Sequence, residues 1–251
     1  MGIGRDEQER VYLPQKQKNL FFNKLCVIIN LIKSKETDMP NYKINQKNDD
    51  KLLIVEIIES GYDYNDFVLF YFSKDIANDK TLIEKIATKI DEYRKQDSVC
   101  IFGACKDSGD NDFSLIQNKF DLFFTNTTEQ LFEDLINACY GTRSGMIHGD
   151  PSDWLSLKSQ NCNHNILSKE GNSLSEIADS IICDIKNIFN IKETSQIQNI
   201  ICSIQSSEPE SIPMNELQAF FNHISEAFPE ANLLWNTYQM DGDDIKAVVV
   251  W

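Results

Sequence analysis

Apolar and polar positions divide the chain into stretches of different period. Phe67-Val-Leu-Phe-Tyr-Phe72 is an uninterrupted apolar run, which suits a strand buried on both faces, as in a parallel sheet. Thr81–Lys95 instead places apolar side chains at 82, 83, 86, 87, 90 and 93, the stripe of an amphipathic helix. Val99–Phe102 and Phe120–Phe124 read as further short strands, with a short helix near Phe113 between them. Strand, helix, strand, helix, strand predicts an α/β unit with parallel strands. Ahead of it, Leu52–Glu59 reads as a helix ending at Gly61. Lys33–Asp50, rich in Lys, Asn and Asp around Pro40, reads as a linker or exposed loop.

The second half continues the alternation. Thr127–Cys139 is a helix that Thr127 or Thr128 caps, with Glu129 in its first turn and Leu131, Leu135 and Ile136 along one side. The glycines at 141 and 145 end it. Asp150 or Ser152 opens another helix to about Lys158, with Pro151 acceptable in its first turn. Ser173–Phe189 is a long helix, Ile197–Ile204 a strand, and Met214–Phe228 a helix that starts behind Pro213. The closing stretch, 232–238 and 245–251, reads as a β-hairpin.

Charge narrows the partners. The formal net charge is −15, which argues against nucleic-acid binding, because phosphate neutralisation needs clustered Lys and Arg. Residues 1–50 carry 9 basic and 7 acidic side chains, against 15 and 32 in residues 51–251, so the first segment is compositionally distinct. Seven scattered cysteines without a Cys-x-x-Cys pair read as reduced thiols of a cytoplasmic protein. Cys162 and His164 lack the two further ligands that a zinc site needs. Leu20–Ile32 is too short and too interrupted to cross a bilayer, so no transmembrane segment is expected. Trp154, Trp235 and Trp251 read as packing residues.

The candidate chemistry lies in Gly145-Met-Ile-His-Gly-Asp-Pro-Ser-Asp153. Asp150 and Asp153, three residues apart at the mouth of a helix, suit the positioning of a water or a cation. Helix capping alone accounts for such acids too, at about 1 kcal/mol. The stretch is preceded by Asp134-Leu-Ile136. It is followed by Asn199-Ile-Ile-Cys-Ser-Ile204, Met214-Asn-Glu216 and Gly242-Asp-Asp-Ile-Lys-Ala-Val248. In this order the segments resemble the C-terminal half of FtsZ, the bacterial relative of tubulin, over about residues 60–251 and most closely from 130 onward.

The resemblance implies an α/β fold of FtsZ/tubulin type. Residues 1–50 would be a diverged N-terminal extension and 51–126 a degenerate nucleotide-binding-type parallel-sheet domain. Residues 127–145 would form the central helix and turn, and 146–251 the synergy loop with a smaller C-terminal α/β domain. In that family the synergy loop of one subunit enters the nucleotide pocket of the next, where its acids orient the water that attacks the γ-phosphate. The implied catalytic groups are therefore Asp150 and Asp153, acting in trans, with His148, at a family Asn position, as a further candidate base.

One signature is missing. Where the family has a glycine-rich phosphate loop, this chain has Ser73-Lys-Asp-Ile-Ala-Asn-Asp79, without glycine and with two aspartates. Backbone amides cradle phosphate only where side chains do not obstruct and positive φ is accessible. Lys74, Asp75 and Thr81 occupy the place of that loop. GTPase ancestry is thus implied without its phosphate loop, and the chain alone is expected to hold no cofactor, with GTP the one candidate. The expected function is that of an FtsZ-like cell-division or cytoskeletal filament protein. It would act head-to-tail on an FtsZ-type subunit or by self-association, and a subunit with one working face caps or modulates a filament. The alternatives are an active divergent GTPase forming its own filaments and a non-catalytic α/β interaction scaffold. A small metal hydrolase built on Asp150, Asp153 and His148 lacks a third carboxylate nearby.

Overall fold

Phe67–Phe72 lies in the middle strand of the first sheet, in a computed structural model that describes residues 42–49, 52–59, 65–96, 99–106, 113–144, 151–158, 164–188, 197–239 and 244–251. That sheet holds β1 (Tyr42–Asp49), β2 (Leu52–Glu59), β3 (Asn65–Ser73), β4 (Cys100–Lys106) and β5 (Leu122–Phe124), in the spatial order β1-β2-β3-β4-β5. β3, β4 and β5 run parallel, linked by α1 (Lys80–Tyr93) and the single turn α2 (Ser114–Gln117), as the alternation predicts. Val68, Phe70 and Phe72 share a core with Leu82, Ile86 and Ile90 of α1 and Ile116 of α2. A Cβ on Gly103 would sit 2.8 Å from the Phe120 ring, so β4 passes beneath that ring only because the position is glycine.

Two expectations for the first sheet are corrected. Leu52–Glu59 is a strand, antiparallel to β3 and in register with it from Leu52↔Phe72 to Ile57↔Phe67. Ile54, Val55, Ile57 and Ile58 are β-branched, and Leu52–Ile57 is buried throughout, which a one-sided helix could not accommodate. Within the supposed linker Lys33–Asp50, residues 42–49 form β1, paired with β2 along its length; the rest of that stretch lies outside the described residues. The sheet is therefore parallel only in its β3–β5 half.

The second sheet holds β6 (Ile166–Gly171), β7 (Asn199–Ser206), β8 (Asn232–Gln239) and β9 (Ile245–Val250) in the order β6-β9-β7-β8. β8 is parallel to β7 across α6 (Met214–Ala227), and β9 is antiparallel to both β6 and β7. The hairpin expected at 232–251 is thus corrected, since β7 lies between the two strands. Ile200–Ser206 is buried at every position and takes a strand on each side. α5 (Leu174–Ile188) and α6 cover one face, where Ile177, Ile181, Phe220 and Ile224 meet Cys202, Ile204 and Val249. Trp235 lies 4.2 Å from the Phe221 ring, and Trp251 belongs to the same core, as the packing reading expects.

Between the sheets runs α3 (Glu129–Ser144), the central helix. One side meets β3, with Phe132 stacked on Tyr71 at 4.5 Å and 17°. The other side meets the second sheet. There Lys246 of β9, buried, places its Nζ 3.1 Å from Asp134 Oδ1 and 2.5 Å from Glu170 Oε1. Gln130 Nε2 donates to the same Asp134 oxygen. A Cβ on Gly141 would stand 2.6 Å from Tyr238 Cβ, so glycine sets how closely the helix lies on β8. Gln205, the cross-strand partner of Lys246, is fully buried, and its amide N and O lack a hydrogen-bond partner among the described residues.

Candidate functional site

The segment that follows the central helix is anchored on the first sheet. α4 (Pro151–Trp154) is one turn, and buried Trp154 packs edge-on to Phe67 at 6.1 Å and against Phe102 at 5.5 Å. The Cys100 thiol donates to the Pro151 carbonyl at 3.2 Å. Four residues past Trp154, beyond a 3₁₀ turn at Leu155–Leu157, Lys158 Nζ lies 3.0 Å from Asp121 Oδ1. Asp153 is therefore half-buried on a turn held at one end by the Pro151 carbonyl and beyond the other by the Lys158 side chain. Its place in the first helical turn suits a carboxylate, because the helix dipole favours negative charge there. Asp150 and His148 lie outside the described residues, so of the three candidates only Asp153 has a described geometry.

Asp121 is the electrostatic anchor of this region. Its carboxylate accepts from the Ile101 amide at 2.9 Å and meets Arg94 Nη1 at 2.8 Å as well as Lys158. Burial alone would raise its pKa. The hydrogen bonds from Arg94, Ile101 and Lys158 and the Arg94 charge outweigh that effect and hold the carboxyl below its ordinary value. His164 closes the same edge. Its Nδ1 accepts from the Phe123 amide at 3.3 Å and its Nε2–H donates to the Leu157 carbonyl at 2.8 Å. Burial lowers its pKa and outweighs the opposing bond to the Leu157 carbonyl, and the bond accepted at Nδ1 requires that nitrogen's lone pair. With both nitrogens engaged, His164 offers no lone pair to a metal, and Cys162 lies outside the described residues. Among the described residues no three His, Cys, Asp or Glu side chains come together to hold a metal ion.

At the carboxyl ends of β3, β4 and β5, where open α/β sheets receive ligands, several polar groups are already engaged within the protein. β3 runs into a 3₁₀ turn, Lys74–Asn78, that buries Ile76 and leaves Lys74 and Asp75 exposed, and Thr81 beyond it is exposed as well. The three side chains expected in the place of a phosphate loop are thus exposed. Asp79 caps α1, its Oδ1 accepting from the Leu82 amide at 3.1 Å. The helix N-terminus that would receive a phosphate already holds a carboxylate. Lys106 at the end of β4 is ion-paired with Glu129 at 3.0 Å. Asn126 takes a positive φ of 54° in the turn into α3, a conformation that Asn tolerates better than most residues. Thr128, the second of the two expected caps, accepts from the Leu131 amide at 3.2 Å. The Thr127 hydroxyl is fully buried, with no hydrogen-bond partner among the described residues.

Strand order adds to this. A crevice for a nucleotide forms where the order of a doubly wound sheet reverses, so that neighbouring loops diverge. Among the described residues the order β1 to β5 does not reverse. β2, antiparallel, brings Asp49 of β1 and Leu52 of β2 to the carboxyl end of β3, since Leu52 pairs with Phe72 and Asp49 with Leu52.

The Asp134–Lys246 pair was visible in the sequence as two motif fragments, but nothing there joined them. The available signal was Lys246 itself, the one charge in the apolar strand Ile245–Val250, which has to find an acid when buried. Asp121 and His164 carried no such signal.

No family model matches the chain, and no curated protein sequence is similar to it. Solved structures of FtsZ/tubulin type are similar to it in fold. A W319Y mutant of FtsZ from M. jannaschii shares 15% identity at a TM-score of 0.46, over 68% of this chain and 69% of that one. CetZ from Methanosaeta thermophila shares 11% at 0.48, over 93% of this chain and 66% of that one. TubZ from Bacillus thuringiensis serovar israelensis, in GDP-form protofilaments, shares 10% at 0.43, over 74% of this chain and 61% of that one. This chain thus spans about two thirds of the length of these proteins. Among the described residues no helix is long and apolar enough to cross a membrane.

Proposed function

We propose that this chain is an FtsZ-like filament protein with a degenerate nucleotide pocket. It docks the loop ending at Asp153 onto the nucleotide face of an FtsZ-type subunit and offers that subunit Asp150 and Asp153, with His148 beside them, in place of a neighbour's acids. The observation that carries the reading is the Asp79 carboxylate on the N-terminus of α1, in a glycine-free turn where a phosphate would have to sit. The order of motifs from Asp134 to Val248 supports the family side of it, and the anchoring of Trp154 and Pro151 supports a preformed loop end. A subunit with a loop end and no pocket extends a filament in one direction only, so it caps or modulates.

Calorimetry with magnesium and GTP tests the pocket. Binding weaker than about 1 mM is expected, and micromolar binding would overturn the degenerate-pocket reading. The loop end is tested by adding the chain to a polymerising FtsZ from the same cell. A change in GTP turnover is expected, and the double variant Asp150→Ala with Asp153→Ala should lose it. Because that variant also gives up about 1–2 kcal/mol of helix capping, its melting is measured alongside. A polymer that ignores the wild-type chain at every ratio sinks the filament role.

A further inference from the structure

Sheet edges offer outward N–H and C=O groups as a template for another strand, and soluble proteins guard them with charge, brevity or cover. Among the described residues the two sheets present four edges, and three are guarded. The sequence of β1 contains Lys43 and Lys47. β6 contains Lys169 and Glu170 and ends at Gly171. β5 is 3 residues long, and its Phe124 already bridges to His164. β8 is the exception. It is the outermost strand beside β7 and runs 8 residues, Asn232-Leu-Leu-Trp-Asn-Thr-Tyr-Gln239, without charge, proline or glycine. Leu233, Leu234 and Trp235 along it are only half-buried.

We propose that β8 is a self-association edge, at which two copies of this chain pair antiparallel about a twofold axis and join their second sheets into one continuous sheet. Charge favours a second copy over a foreign peptide. In a chain of net charge −15 most surfaces repel their own image, and this uncharged strip does not. The strip also lacks any charged side chain with which to select a foreign sequence. A second β8 arrives already ordered, whereas an extended peptide would have to be fixed residue by residue. A twofold contact satisfies both edges at once and closes the assembly. This pairing uses neither the loop at Asp153 nor the region around Asp79, so it stands or falls separately from the proposed function.

Sedimentation of the full chain at about 100 μM, well above a micromolar dissociation constant, should show a dimer. Leu234 lies mid-strand and outside the core of the second sheet, so it accepts a charge. Leu234→Lys and Leu234→Glu should each weaken the dimer at least about tenfold, because like charges meet across the twofold. An equimolar mixture of the two should restore it, which also shows that both fold. If either variant fails to melt cooperatively, the exposed pair Asn232→Lys with Gln239→Lys replaces it and should likewise give monomers. A monomeric wild type overturns the proposal and returns β8 to a foreign partner or none. Charge variants that associate as wild type does overturn it too, and point to another surface such as a head-to-tail contact.

Discussion

The two sides of α3 meet the two sheets by different means. Toward the first sheet the helix presents Phe132, stacked on Tyr71 and fully buried, over a layer that includes Phe67, Phe102 and Trp154. Toward the second sheet it presents Asp134, paired with buried Lys246, beside the Gln205 amide, which has no partner among the described residues, and the bare backbone of Gly141. An apolar contact tolerates small slides, whereas a buried ion pair holds only in one geometry and leaves a stranded charge when broken. The helix is therefore fastened to the first sheet by area and keyed to the second by charge.

The largest effect is expected from Phe132→Ala, which should cost about 4 kcal/mol by opening a cavity on the aromatic side. Chemical denaturation measures it. A loss below 1 kcal/mol would show that the stack does not hold the helix. Lys246→Ala should cost about 3 kcal/mol by stranding Asp134, while the apolar pair Asp134→Leu with Lys246→Met should recover most of that loss. Failure of the double replacement to recover would mean that area, and not pairing, governs this side as well.

The smallest effect separates the sides by pH. His164 has a lowered pKa in the fold, so its contribution is present above the unfolded value of about 6.5 and is lost as pH falls below it. Burial depresses the Lys246 pKa, but Glu170 and Asp134 more than reverse this, so its contribution fails only at alkaline pH. Melting followed from pH 7 to 5 should thus fall with a slope of at most about 1.4 kcal/mol per pH unit from this group. His164→Asn should flatten the slope, and the apolar pair Asp134→Leu with Lys246→Met, which removes both charges of the other side, should leave it unchanged.

These contrasts explain how far the sequence could be read. Elements with one dominant period were legible: the Phe67–Phe72 strand, the Leu82–Tyr93 stripe, the helix at Thr127 and the strand at Ile197. Leu52–Glu59 was misread because its short apolar run fits either period, and only its pairing with β1 and β3 decides. β6 passed unnoticed because Ser168, Lys169 and Glu170 make an edge strand look like a loop. Asp150 and Asp153 stood out by spacing and resemblance. Asp121, His164 and Lys246 matter through partners 20 to 112 residues away, a distance that local pattern does not span.

The order of strands also bears on the sequence of events during folding. In the first sheet every strand pairs with its predecessor in the chain, so each pairing closes a short loop. In the second sheet β6 pairs only with β9, and Ile166 meets Val250 across most of that half of the chain. As the polypeptide emerges from the ribosome, the first sheet can zip strand by strand. β6 must wait, with neither edge paired, until the last strand slides in between it and β7.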